Sequence, residues 1–268
     1  MFSVLKKDIN IFDSLLCGQI FRFNKIDEKT YVVYSLNNYA RIYQEDEKYL
    51  IVSNDDEYFY SFFNLNIDYR AILDDLSANK HLSGLIPKDD IPLRILKQDT
   101  FEMIISFVIS ANNNIPRIKK IIEKMCEGAG ENMGDYYAFP SVHELAKKGE
   151  EFFYSIGLGY RAPYILKTAK LIDSGEFNID DLKSLSTQEA RNMLLTLPGV
   201  GPKVADCILL FGLNRYDVFP VDTWIEKVYI DLFNKKDSIK VMRENLLKEF
   251  GAYSGIAQQY LFYAKRGN

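Results

Sequence analysis

Residues 197–224, LPGVGPKVADCILLFGLNRYDVFPVDTW, leave the backbone few options. Gly199 and Gly201 bracket Val200, so the chain can take positive φ angles there and turn its amide N–H groups outward. Pro202 suits the first helical position, where no amide donor is needed. Residues 204–213 are apolar almost all the way round, the pattern of a buried helix. Lys203 therefore sits at the positive end of a helix beside an apolar body. Dipole and desolvation at such a place favour a neutral amine, and a neutral amine is a nucleophile. QEARNMLLTL, just before the turn, has helical apolar spacing, so the turn joins two helices. Several main-chain N–H groups can then converge on one phosphate.

A bare GxG turn recurs by chance and is usually an ordinary helical corner with a solvated lysine. The segment downstream shifts that reading. FPVD sets Pro220 and Asp222 just ahead of the helical run TWIEKVYIDLF, which makes Asp222 a natural N-cap. Capping alone would account for the aspartate. Together with Lys203 it also makes a nucleophile–carboxylate pair.

The remainder reads as an α+β chain in two parts, a small twisted antiparallel β-sheet domain with short helices over residues 1–90 and a mostly helical region over 91–268. IFRFNKI, TYVVYSL, YARIYQ and KYLIVSN are rich in β-branched and aromatic residues and read as strands, with Asn37-Asn38 as a hairpin turn. The acidic stretches 45–47 and 55–57 read as solvated loops. From about Glu57 the pattern turns helical, and IPKDDIP (86–92) punctuates the join. DTFEMIISFVIS starts with Asp99 as N-cap and Glu102 at capping-box spacing. Its helix ends at Asn112-Asn113-Asn114, a run that suits a helix-ending turn because asparagine tolerates the left-handed conformation. Tyr160, in the glycine-rich loop GLGYRAPYI, is either a core aromatic or a wedge between bases. Gln258 and Phe262 lie four residues apart, on one helix face.

LPGVGPKVADC followed by PVD resembles the helix-hairpin-helix DNA glycosylase superfamily, and a lysine at the position of Lys203 marks its bifunctional glycosylase/lyase members. CGQIFRF (17–23), SANNNIPRI (110–118) and GLGYRAPYI (157–165) narrow the resemblance to the 8-oxoguanine DNA glycosylases, over nearly the whole chain. The resemblance implies excision of 8-oxoguanine from duplex DNA in base excision repair, with Lys203 as nucleophile and Asp222 as its partner. It implies a pocket for the extruded base. There Phe262 stacks on one face and Cys207 presses on the other, Gln258 bonds the Watson–Crick edge, Pro220 borders the base, and the Gly18 carbonyl accepts the N7 hydrogen present only in the oxidised base. It makes Asn112 the residue that fills the vacated stack, Tyr160 the wedge, and Arg117 and Arg161 the readers of the orphaned cytosine. Gly199, Val200 and Gly201 would hold phosphate, with a structural cation on the carbonyls of Leu195, Leu197 and Val200. One departure stands out: where many members carry a histidine two residues after the aspartate, this chain has Trp224.

Composition narrows the rest. No apolar run reaches membrane-spanning length and no signal peptide is recognisable, so a monomeric, cytoplasmic protein is expected, nuclear in a eukaryotic source. Cys17, Cys126 and Cys207 are scattered, read as reduced thiols, and cannot supply the four ligands of an iron–sulfur cluster. The two histidines, His81 and His143, fall outside every motif, and no cofactor is expected. The formal net charge of −4 does not favour DNA binding, but it is uneven. Residues 1–90 carry 10 basic and 15 acidic side chains, whereas residues 91–268 carry 23 and 22. Two other readings share these motifs: a glycosylase for a different oxidised or alkylated base, and a DNA-binding module in which Lys203 only touches phosphate.

Overall fold

The computed structural model describes residues 1–86 and 92–266. The join expected at 86–92 falls largely outside them. Five antiparallel strands, β1 (Phe2–Leu5), β2 (Phe23–Asp27), β3 (Thr30–Ser35), β4 (Asn38–Gln44) and β5 (Lys48–Ser53), form one sheet in the order β1-β5-β4-β3-β2. Val33, Ala40, Ile42 and Ile51 lie on its buried face. That face packs against α1 (Ile11–Leu16) and α2 (Asp56–Phe62), with Phe59 and Phe62 of α2 in this core.

The helical body comprises α3 (Tyr69–Ser77), α4 (Thr100–Ser110), α5 (Ile115–Ala129), α6 (Val142–Ala146), α7 (Glu150–Ser155), α8 (Ala162–Asp173) and α9 (Asp181–Ser184). It continues with α10 (Thr187–Leu194), α11 (Pro202–Leu213), α12 (Thr223–Phe233), α13 (Ile239–Phe250) and α14 (Ser254–Arg266). At its centre α11 lies along α4. Both are buried nearly all round, as the apolar run after the glycine turn requires.

Four local expectations are corrected. β1 was not foreseen; FSVL is short and runs straight into the polar Lys6–Asp8 turn. The β3–β4 turn sits one residue early, at Leu36-Asn37, with Ser35 paired to Asn38. Leu36 takes φ +51 there, unusual for an aliphatic residue. Its N–H donates to Glu102 (2.9 Å) and its carbonyl accepts from Phe139 (2.8 Å) and Arg22 (3.1 Å), so tertiary bonds hold the conformation. Residues 55–57 are not a loop: Asp55 accepts the Tyr58 N–H and starts α2. Asp99 caps α4, but Glu102 does not complete the box, because its carboxylate turns to Leu36 and Arg22. Burial pushes that carboxyl up while Arg22 pulls it down. A full capping box forms instead at Ser186 and Glu189, ahead of α10.

One ion cluster fastens the central helices. Asp206 of α11 is buried, and its two oxygens accept from Arg191 of α10 (2.7 Å) and Arg243 of α13 (2.6 and 3.1 Å). Removing one partner of such a buried group leaves the others uncompensated. Asp206→Ala is therefore expected to lower unfolding free energy by about 3–5 kcal/mol, measured by urea denaturation.

Candidate active site

The glycine turn and α11 set the amine. Gly199 has φ +78, and a β-carbon there would stand 2.8 Å from the Tyr164 ring, so a side chain is excluded by conformation and by space. The Val200 N–H donates to the Leu197 carbonyl at 3.1 Å, closing the turn. Gly201 is the N-cap of α11 and Pro202 falls in its first turn, as the sequence predicts. Lys203 then carries its Nζ to 5.2 Å from the centre of the Phe107 ring. Cys207 is its other neighbour, one turn along the helix. Asp222 caps α12, accepting the N–H groups of Trp224 (3.0 Å) and Ile225 (2.9 Å) on Oδ1, so capping occupies one oxygen of the carboxylate.

Lys203 and Asp222 face one small cavity of about 50 Å³. Gly18, Cys207, Pro220, Gln258 and Phe262 line it too, so every residue expected to touch the reacting sugar or the base is gathered there. Gly18 adopts φ +84 in the turn after α1. Gln258 is 5% exposed, and its Oε1 has no hydrogen-bond partner among the described groups. A buried acceptor in that state costs about 1–3 kcal/mol until a donor arrives.

Four further wall residues, Cys17, Phe107, Phe211 and Gln259, were not singled out from the sequence. Phe107 and Phe211 read as core aromatics, and they do stack on each other, 5.4 Å apart and 16° from parallel. Behind Gly18 stands Gln19, also unforeseen and fully buried. Its amide donates to the carbonyls of Ser14 (2.9 Å) and Arg94 (2.8 Å), and its Oε1 accepts from Leu96 (2.8 Å). A buried glutamine with all its groups matched is a rigid pin, and this one fixes the Gly18 turn. The only sequence signal was a polar residue next to a glycine inside an apolar run.

The residues expected to meet DNA lie on a neighbouring face. Asn112 is exposed at φ +49 in the turn after α4, and Asn114 caps α5 through the Arg117 N–H (3.0 Å). Arg117 is exposed and donates once, to the Gly157 carbonyl at 3.1 Å. Tyr160 is 55% exposed, with its ring edge-on to Tyr164, the residue packed against Gly199. Arg161 differs: it is 3% exposed, and its guanidinium donates to the carbonyls of Ala111 (3.0 Å) and Asn112 (2.9 Å). Trp224 is 41% exposed beside Asp222, with the Lys227 Nζ 4.8 Å from its ring centre.

The family model for the 8-oxoguanine DNA glycosylase N-terminal domain matches residues 1–104, and that for the HhH-GPD superfamily base excision DNA repair protein matches residues 105–251. The chain belongs to the HhH-GPD superfamily. Among HhH-GPD relatives, the N-glycosylase/DNA lyase OGG1 of Arabidopsis thaliana is 35% identical over 76% of this chain. The chain spans 60% of that relative's length. The probable N-glycosylase/DNA lyase of Methanothermobacter thermautotrophicus is 32% identical over 74% of this chain and 70% of its own. The Clostridium acetobutylicum 8-oxoguanine glycosylase/lyase, solved with duplex DNA containing cytosine opposite 8-oxoguanine, superposes with a TM-score of 0.91. It is 37% identical and covers 100% of this chain and 98% of its own. No described helix of this HhH-GPD protein is long and apolar enough to cross a membrane.

Burial pushes the thiols up, Cys17 and Cys126 to about 12 and Cys207 to about 11, the last against the pull of nearby Lys203. An unfolded thiol ionises near pH 8.5, roughly. Above that, the folded protein keeps protons that the unfolded chain has lost, so stability falls as pH rises toward about 11. At about pH 8, iodoacetamide is expected to leave all three cysteines unmodified in the native protein and to label all three in denaturant, counted by mass spectrometry.

Proposed function

We propose that this protein excises 8-oxoguanine from duplex DNA as a bifunctional glycosylase and lyase in base excision repair. The observation that carries the reading is the shared cavity of Lys203, Asp222 and Gln258, with an amine, a carboxylate and an unmatched buried acceptor facing one space. The Watson–Crick edge of a guanine-type base offers N–H donors, which suits the lone Gln258 Oε1. The Gly18 carbonyl meets the N7 hydrogen that distinguishes the oxidised base from guanine. Phe262 and Cys207 supply the two faces between which a flat ring fits.

The lesion must leave the stack before its glycosidic carbon can be reached. Amides of the hairpin at Gly199 and Gly201 hold backbone phosphate while it does so, with Val200 between them closing the turn through its own N–H. The carbonyls of Leu195, Leu197 and Val200 offer oxygen donors of the kind a hard cation takes, which would steady the same turn. The Lys203 amine, as a free base, attacks C1′ as the bond to the base breaks. The bonding pair leaves on the base nitrogen, which gains a proton, and the attacking nitrogen gives one up. Asp222 stabilises the positive charge that develops on the sugar. The sugar ring opens to a Schiff base on Lys203. Loss of a C2′ proton then expels the 3′ phosphate and nicks the strand. Exposed Arg117 makes one side-chain bond, to the Gly157 carbonyl, and keeps donors for a base edge, which supports a preference for cytosine opposite the lesion.

Borohydride reduction of the reaction on an 8-oxoguanine:cytosine duplex is expected to yield a covalent protein–DNA adduct. Lys203→Gln is expected to abolish the adduct while keeping duplex affinity within about threefold. A persistent adduct in that variant would rule out Lys203 as nucleophile, and duplexes carrying alkylated bases would show whether another lesion is preferred. Asp222→Asn keeps an oxygen for capping and is expected to slow single-turnover base release by about 10²–10³-fold, with little change in melting temperature. Equal cutting of the lesion opposite adenine and opposite cytosine would remove the opposite-base preference.

A further inference from the structure

The Gly18 turn and α14, which carries Gln258 and Phe262, form different walls of one cavity. A ring gripped by a carbonyl on one wall and a side chain on another fits only where the gap matches its width, because N–H···O bonds work over roughly 2.7–3.2 Å. The residues flanking Gly18 show what fixes that gap. Gln19 spends its amide hydrogens on the carbonyls of Ser14 (2.9 Å) and Arg94 (2.8 Å), which anchors the turn to α1 and to the segment ahead of α4. Cys17, 2% exposed, donates its S–H to the Ser14 carbonyl at 3.2 Å. Burial pushes the thiol up to about 12, so the hydrogen stays on sulfur at neutral pH. The sulfur lone pairs are left to accept. The Gln19 amide reaches them at 3.3 Å, and from α14 the Gln259 amide donates to them at 3.8 Å. Gln259 follows Gln258 directly and is itself 2% exposed, so bulk water does not serve its amide. Sulfur is a weak acceptor, but in a dry place a weak partner counts for more than none.

Building on the excision reading above, we propose that Cys17 and Gln259 form a clasp that sets the gap between the Gly18 carbonyl and α14, and so tunes which ring is accepted. Both are positioning residues. Cys17 acts through the Gly18 backbone, and Gln259 acts through the Gln258 and Phe262 side chains of its own helix. The contact is long and soft, so its loss shifts a wall without emptying a core, and selection of the entering base suffers first.

The test uses duplexes carrying 8-oxoguanine or 8-methoxyguanine opposite cytosine; the second base keeps the Watson–Crick edge but has no N7 hydrogen. Single-turnover base release is compared for the wild type, Gln259→Leu, Cys17→Ala, Cys17→Ser and the Cys17→Ala/Gln259→Leu double variant, with thermal melts to establish folding. The wild type is expected to release 8-oxoguanine about tenfold or more faster, the worth of one buried hydrogen bond. Gln259→Leu and Cys17→Ala are each expected to cut that ratio by about threefold or more. Cys17→Ser keeps a donor and an acceptor and should recover part of it. The double variant should fall no further than the worse single variant, since both changes remove one contact. A wild-type ratio in the folded single variants, even with both substrates slowed equally, overturns the clasp, and so do multiplied losses in the double variant. The single variants approach the contact from opposite sides, so either one decides if the other fails to fold. A wild type that releases both bases alike overturns the Gly18 selection on which the clasp depends, while leaving excision standing. A wild type that releases no 8-oxoguanine at all instead defeats the excision reading.

Discussion

The grip of two guanidinium groups on the Asp206 carboxylate decides how α11 is rotated between its neighbours. Asp206 follows Lys203 by three positions, close to one turn, yet points into the α10–α13 junction. With Arg191 on one side and Arg243 on the other, the helix cannot roll without stripping a buried charge of its partners. Lys203 and Cys207 are thereby held toward the cavity, and α4, lying along α11, presents Phe107 beneath the amine. The geometry around the cavity is thus inherited from a salt cluster that lies outside it.

A second fastening brings in the sheet. The Leu36 turn is bound from the helical side by Glu102 and Phe139, and Arg22 links it to the Tyr137 carbonyl. Gln19 and Gln98 then fix the segment that carries Gly18, with Gln98 donating to the Gln19 carbonyl at 2.8 Å. A small antiparallel sheet could have been a separate lobe. Here it delivers one backbone turn to the rim of a cavity otherwise built from helices.

How much of this was legible depends on whether the signal is local. The glycine turn, Pro202 at the helix start and Asp222 as N-cap follow from backbone preferences of single residues; the last two stand as read, while in the turn only Gly199 takes the positive φ, Gly201 staying at −91 and the Val200 N–H turning back to Leu197. The strands β3, β4 and β5 were equally plain from their β-branched and aromatic content. What escaped was set by distant partners. No property of Leu36 predicts a positive φ; Glu102 and Phe139, far along the chain, impose it. Phe107 and Phe211 look like any core aromatics until α4 and α11 are laid side by side. The fate of Arg161 depends on where α4 ends in space, which no spacing within GLGYRAPYI encodes.

The unmatched oxygen of Gln258 carries a wider consequence. Among the described groups none answers that acceptor, so an apolar side chain of similar size would cost the fold less there. A glutamine kept in such a place costs the fold something that a well-placed N–H on an incoming ring, under the excision reading proposed above, would return. On that reading, discrimination would be stored beforehand, as a small standing discomfort that only the right guest relieves.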